Sequence, residues 1–246
     1  MSLSIIIPIY NEIDQLKFTI NKLLLLKKKL KKYEIIFIDD FSNDDSYKFV
    51  KKIIKKNSLI KIFKNKKKGL GPAVSEGITK SKLEYVCFFT ADLADDINDL
   101  IKYYKIIKKG KTDAVFGTRF SKKSKIKNYP FFKLILNRLA NISIKILFLS
   151  NYNDFTNSFK IYKRKTLIKL LPIFSKHFNV YLELPLKFIN RKYSYIITSN
   201  NWNGRKHGVS KFKIKEVGPM YIFTLLYCLL DKFLLSIKKY YKKTYK

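Results

Sequence analysis

Three short stretches of this chain carry residue types suited to a charged, hydroxyl-rich ligand: Pro8-Ile9-Tyr10-Asn11-Glu12, Asp39-Asp40-Phe41-Ser42 and Thr90-Ala91-Asp92-Leu93-Ala94-Asp95-Asp96. Each follows directly on an apolar run. Carboxylates are scarce, with 18 acidic residues against 52 basic ones and a net charge of +34. Acids gathered from separate runs of so basic a chain call for a reason. A divalent cation bridging a diphosphate supplies one, because hard cations take carboxylate and phosphate oxygens together. Asp92, Asp95 and Asp96 are the metal candidates. The competing reading is that Asp39 and Asp95 cap helices, which Asp does well.

Lysine is the default cation here, and only five arginines occur, at 119, 138, 164, 191 and 205. An Arg in such a background marks a place where a planar, two-pronged donor is needed. Glu183 lies inside the apolar stretch Leu182-Glu183-Leu184-Pro185, either as a base for a hydroxyl acceptor or as a buried structural carboxylate. His177 and His207 are isolated from any Cys or acidic ligand motif. Trp202 is read either as packing its own loop or as stacking on a sugar or prenyl chain. Cys87 and Cys228 sit in apolar runs without metal-ligand spacing and read as small core residues in a reducing compartment.

The elements that must position these residues follow from the hydrophobic pattern. Apolar runs at 3–8, 34–38, 59–63, 84–89 and 113–117 alternate with helical stretches at 13–30, 44–56, 72–80 and 97–108. That order predicts βαβ units and a mainly parallel, Rossmann-like sheet with helices on both faces. In such a sheet, ligands bind at the carboxyl ends of the strands, where the three polar stretches fall. Beyond Arg119 the rhythm changes to helices at 131–149, 164–171 and 178–190 and a strand at 193–199.

Composition narrows the class further. At 246 residues, 47% hydrophobic, with 8 Gly, 6 Pro and 2 Cys, the chain is neither disordered, collagen-like nor disulfide-stapled. The charge would suit nucleic acid, but no recognition helix or RNP-like strand is present. The uncharged run 217–230 is 14 residues long, shorter than the roughly 20 a spanning helix needs, so the expectation is a helix lying on a membrane and followed by a basic tail, the alternative being a C-terminal helix packed on the domain. The chain therefore divides into a catalytic unit over 1–216 and a membrane-associated helix and tail over 217–246.

The ordered motifs resemble family 2 glycosyltransferases of the polyprenyl-phosphate (dolichol-phosphate mannose synthase-like) branch. The similarity runs through Ser4 to Glu12, Ile36 to Ser42, Gly69-Leu70-Gly71-Pro72-Ala73, Ala91-Asp92-Leu93 and Gly117-Thr118-Arg119-Phe120. It continues in Asn137 to Asn141, Asp154 to Tyr162, Leu182-Glu183-Leu184 and Arg205 to Phe212.

The resemblance implies a type A nucleotide-diphosphosugar glycosyltransferase fold and inverting transfer of a hexose from a nucleotide sugar to a polyprenyl phosphate. The alternatives are a saccharide acceptor and a non-enzymatic phosphate-binding role. It implies that Pro8, Tyr10, Glu12, Ile38, Asp40 and Ala91 cradle the donor, and that Asp92 holds Mg²⁺ or Mn²⁺ on its diphosphate. Arg205 and Lys211 would grip that diphosphate, while Arg119 and Arg138 hold the acceptor phosphate. It also implies a cytoplasmic enzyme at the inner face of the membrane. Where the family has Asp-Ala-Asp, this chain has Thr90-Ala91-Asp92.

Overall fold

The computed structural model describes residues 2–204 and 214–244. Strands β1 (Leu3–Ile9), β2 (Tyr33–Asp39), β3 (Ile60–Lys64), β4 (Tyr85–Phe88) and β5 (Ala114–Thr118) alternate with helices α1 (Ile13–Leu24), α2 (Ser46–Ile54), α3 (Leu70–Lys80) and α4 (Ile97–Ile107). The first helix is shorter than the pattern predicts. It gives way to a 3₁₀ turn over Leu25–Lys28 that keeps Leu26 buried while the lysines around it reach water. A two-residue β6 (Ile126–Lys127) and α5 (Phe131–Phe148) follow, then β7 (Lys160–Lys163), α6 (Arg164–Ile168), α7 (Val180–Asn190), β8 (Tyr195–Ser199), β9 (Trp202–Asn203) and α8 (Ile214–Thr244).

Seven strands form one sheet in the order β3-β2-β1-β4-β7-β5-β8, and all run parallel except β7, which is antiparallel to both neighbours. No strand is evident at 160–163 in the sequence, because a four-residue segment with a lysine at each end lacks the apolar run that marks the others. Its pairing to Cys87 and Val115 is a long-range event.

Residues of β1 alternate between two cores, as the pleat requires. Ile5 and Ile7 pack with Leu16 and Ile20 of α1 and Leu100 of α4, whereas Ile6 packs with Val74 and Ile78 of α3 on the opposite face. The second core extends through α5, α6 and α7 to Cys228 of α8. Both cysteines are free and buried.

Candidate functional site

The strand order turns back between β1 and β4, since β2 and β3 lie to one side of β1 and the later strands to the other. That switch point opens a crevice at the carboxyl ends of the strands. The register brings the predicted stretches together there: Pro8 pairs with Ile38 and Ile9 with Asp39, while Phe89 N–H donates to the Ile6 carbonyl at 3.0 Å. Asn11, Phe41 and Leu93, in the loops after β1, β2 and β4, all adopt positive φ (51°, 60° and 55°). Such strained conformations cluster at ligand sites.

Pro8 and Tyr10 are half-buried at the mouth, and Glu12 is nearly buried. Ile38 has no exposed surface and its side chain packs with Ala73 and Val74 in the core, so only its backbone is available to the crevice. The Asp40 carboxylate accepts from Gly69 N–H and Asn65 Nδ2, both at 2.8 Å, and so pins the glycine loop ahead of α3. That loop needs its glycines. Gly69 has φ 129°, and a Cβ on Gly71 would stand 1.6 Å from the Ser175 carbonyl oxygen.

The polar groups at this end are under-satisfied. Among the described residues, Asp39 Oδ1, Asn65 Oδ1, Thr90 Oγ1 and both Asp95 carboxylate oxygens are buried without a hydrogen-bond partner. Buried orphans of this kind are rare and ask for a ligand, ion or water. Burial first, and the neighbouring Asp92 charge second, push the Asp95 carboxyl up to about 8.

The helix-capping alternative fails for Asp39 and Asp95. Asp96 is the residue that caps α4, its Oδ1 accepting from Asn98 N–H at 2.8 Å. No cluster of three or more His, Cys, Asp or Glu side chains able to hold a metal occurs among the described residues. Asp92 and the orphaned Asp95 still offer the hard oxygens that fit a cation whose other ligands come from a bound diphosphate.

Arg119 and Arg138 converge on one ring. Their guanidiniums lie 5.4 and 4.6 Å from the centre of Phe120. Their environments differ sharply. Arg138, on α5, is exposed and makes no ion pair with a described residue. Arg119 is buried, with Nε and Nη2 on the Asp154 carboxylate at 2.9 and 2.6 Å and Nη2 also 3.2 Å from Thr156 Oγ1. Burial alone would lower its pKa, but Asp154 more than compensates and holds it charged. Nε and Nη2 are thus engaged within the protein, and Nη1 is the nitrogen left for the expected grip on an acceptor phosphate.

Asp154 falls in the motif Asp154 to Tyr162, yet the sequence assigned it no role as the partner of Arg119, although it is the single acidic residue between Asp113 and Glu183. Lys160, in the same motif, was likewise given no role. Fully buried on β7, it donates to the Phe155 and Asn157 carbonyls, and burial pushes its pKa down to about 7.

Glu183 is not positioned as a base. It is fully buried on α7, accepts from Phe174 N–H (3.1 Å) and Ser175 N–H (2.8 Å), and pairs with Lys187 at 3.1 Å. It fixes the segment against which Gly71 packs. Trp202 packs against Tyr129 at a tilt of 46° with centroids 4.8 Å apart, and its backbone forms an isolated antiparallel bridge with that of Asp95, so it packs its loop. Arg205, Lys211 and His207 lie outside the described residues. The preceding residues are anchored beside the site, Asn203 N–H to the Ala94 carbonyl and Gly204 N–H to the Lys127 carbonyl, both at 3.0 Å.

A mainly parallel sheet with positive-φ loops and unsatisfied buried acids at its switch point makes this crevice the candidate ligand site of an α/β protein. Residues 4–171 match glycosyl transferase family 2, and the chain belongs to that family. It is 28% identical over 222 residues to a dolichol-phosphate mannosyltransferase of Pyrococcus furiosus, covering 88% of this chain and 61% of that protein. It is 32% identical over 184 residues to a dolichyl-phosphate β-glucosyltransferase of Dictyostelium discoideum, covering 69% and 56%. The chain thus spans less than two thirds of the length of these relatives. The fold is shared with glucosyl-3-phosphoglycerate synthase of Mycobacterium tuberculosis, crystallised with Mn²⁺, uridine diphosphate and glucosyl-3-phosphoglycerate. There the TM-score is 0.66 at 20% identity, over 93% of this chain and 80% of that one.

Proposed function

We propose that this chain transfers a hexose from a nucleotide-diphosphate sugar to the phosphate of a polyprenyl phosphate, with inversion at the anomeric carbon. The observation that carries the reading is the set of unpartnered buried oxygens on Asp39, Thr90 and Asp95 at adjoining strand ends. A hydroxyl-rich donor bearing a diphosphate and cation supplies both the donors and the positive charge they lack. The names of the relatives support a lipid-phosphate acceptor.

In this reading an acceptor phosphate oxygen attacks the anomeric carbon as the bond to the donor diphosphate breaks, and the electron pair leaves on the nucleoside diphosphate. A phosphate nucleophile is already ionised and needs no base, consistent with a locked Glu183. Asp92, with Asp95 behind it, would hold Mg²⁺ or Mn²⁺, which neutralises charge on the leaving diphosphate. Arg205 and Lys211 are assigned to the same diphosphate on their motif alone. Arg138 orients the acceptor phosphate, and Arg119, braced by Asp154, is a positioning residue that sets Phe120 beneath it. Tyr10 and Glu12 are assigned to base and ribose, and α8 to a membrane surface.

A thermal-shift screen of nucleotide sugars with and without Mn²⁺ identifies the donor. Incubation with the labelled donor and a short-chain polyprenyl phosphate should then yield solvent-extractable label. Label found only on added saccharides would replace the lipid acceptor with a sugar hydroxyl.

A further inference from the structure

Helix α8 is longer than the 14-residue run predicts: its segment Gly218–Lys238, 21 residues, has the length and composition to cross a membrane. It is nevertheless fastened along the domain at both ends of α7. Asp231 pairs with Arg191, just past α7, at 3.0 Å, and Asn179 Nδ2, just ahead of α7, donates to Thr224 Oγ1 at 2.8 Å. These ties bring Tyr221, one turn before Thr224, up to Tyr181, in the first turn of α7.

The two tyrosines stand between the two halves of the site. The Tyr181 ring packs on Phe88, the last residue of β4, with centroids 6.4 Å apart, and the Asp95 and Asp92 charges act on its phenol. Tyr221 packs against the core cluster that holds Phe88 and Tyr181, and Arg119 and Tyr129 act on its phenol. Arg119 in turn lies 5.9 Å from the centre of the Tyr129 ring. The order across the crevice is therefore the acids, Tyr181, Tyr221 and the arginine. The acids are assigned to the donor diphosphate and its cation, and the arginine side to the acceptor phosphate. A hexose passing from one to the other lies at the two phenols.

Their chemistry suits such an occupant. A hexose carries no charge, and hydroxyls that both donate and accept are matched by phenols, which do the same. The ring adds a flat apolar face for the C–H side of a sugar. Burial first, and then Asp95 and Asp92, push the Tyr181 phenol up; burial does the same to Tyr221, with Arg119 opposing it. Both hydroxyls thus keep their protons and bind as neutral groups. Buried tyrosines usually find a partner for the hydroxyl. Tyr181, only 8% exposed, makes no hydrogen bond through its hydroxyl to a described residue, and that hydroxyl is not among the sealed, unpartnered atoms of the site. We infer that Tyr181 and Tyr221 bind the hydroxyls of the transferred hexose and so set which hexose the enzyme accepts. The inference rests on the proposed function for the donor being a nucleotide sugar, and goes beyond it in assigning the sugar's own contacts.

The test is calorimetry of the purified full chain with UDP-glucose or GDP-mannose, whichever the thermal-shift screen selects, and with the matching UDP or GDP. Tyr181→Phe and Tyr221→Phe remove only the hydroxyl and should leave the melting temperature unchanged. Each should weaken the nucleotide sugar about five- to tenfold, as for a lost uncharged hydrogen bond, and hold the nucleoside diphosphate within about twofold. Donors lacking one sugar hydroxyl at a time complete the measurement. Wild type should lose affinity for the analogue missing the hydroxyl that a phenol binds, and the matching Phe variant should lose nothing further on it, because both changes remove the same contact. Equal losses for nucleotide sugar and nucleoside diphosphate, wild-type affinity in both Phe variants, or losses that add in full across every deoxy donor would each overturn the inference. If the expected pattern holds while no sugar reaches any polyprenyl phosphate, the acceptor in the proposed function fails and the hexose contacts stand.

Discussion

Asp154 receives three hydrogen bonds from Arg119, one from its backbone N–H at 2.8 Å and two from its guanidinium, inside a region where Asp154 has no exposed surface. Removing one partner of such a pair strands a buried charge. Asp154→Asn should therefore cost about 3 to 5 kcal/mol in urea unfolding. The joint replacement Arg119→Met/Asp154→Leu should recover most of that stability yet leave transfer impaired, because Phe120 loses its brace. Full activity in the apolar pair would show that Arg119 serves the fold alone.

Arg138 is exposed beside Phe120 and should read out as acceptor binding. Arg138→Ala is expected to lower transfer about 100-fold, near 3 kcal/mol for a lost charge-assisted contact, while calorimetric affinity for the nucleotide sugar stays within about twofold. Arg138→Lys should restore only part, since a point charge cannot reproduce a two-pronged donor. Equal loss of donor affinity would move Arg138 to the donor side.

Thr90 stands where the family carries an acid, and its hydroxyl is buried without a partner. Asp92→Asn should abolish the Mn²⁺ dependence of nucleotide binding. Thr90→Asp should tighten Mn²⁺ in a titration monitored by competition. Weaker binding in Thr90→Asp would mean that Asp92 and Asp95 already complete the site and that a third carboxylate only adds repulsion.

Asp95 and Lys160 predict opposed pH dependences of stability in metal-free protein. The Asp95 carboxyl, raised by burial and then by Asp92 from 3.8 to about 8, keeps a proton in the fold that the unfolded chain has lost across that interval. Its contribution is full below pH 3.8 and is lost as the pH rises to 8. Lys160, lowered by burial from 10.5 to about 7, contributes fully above 10.5 and loses that contribution as the pH falls to 7. The two groups place a trough of melting temperature near pH 7 to 8. Asp95→Asn should raise the melting temperature there and much less at about pH 5. A flat wild-type profile across this range would refute the assignment.

The sequence by itself determined the alternation of β1 to β5 with α1 to α4 and the gathering of Tyr10, Asp40 and Asp92 at strand ends. Both are local: a parallel strand buried on two faces reads as a continuous apolar run, and the loops that follow must be polar. Tertiary structure decided what local pattern cannot encode. The insertion of β7 between β4 and β5 rests on pairing between distant segments. Glu183 is a scaffold and not a base because Phe174, Ser175 and Lys187 surround it. Arg119 is committed because Asp154, 35 residues away, reaches it first. The meeting of Tyr181 with Tyr221, fixed by the bond from Asn179 to Thr224, belongs to the same class. An apolar helix announces that its surface must leave water, but which of its residues faces the crevice depends on where its neighbours stop.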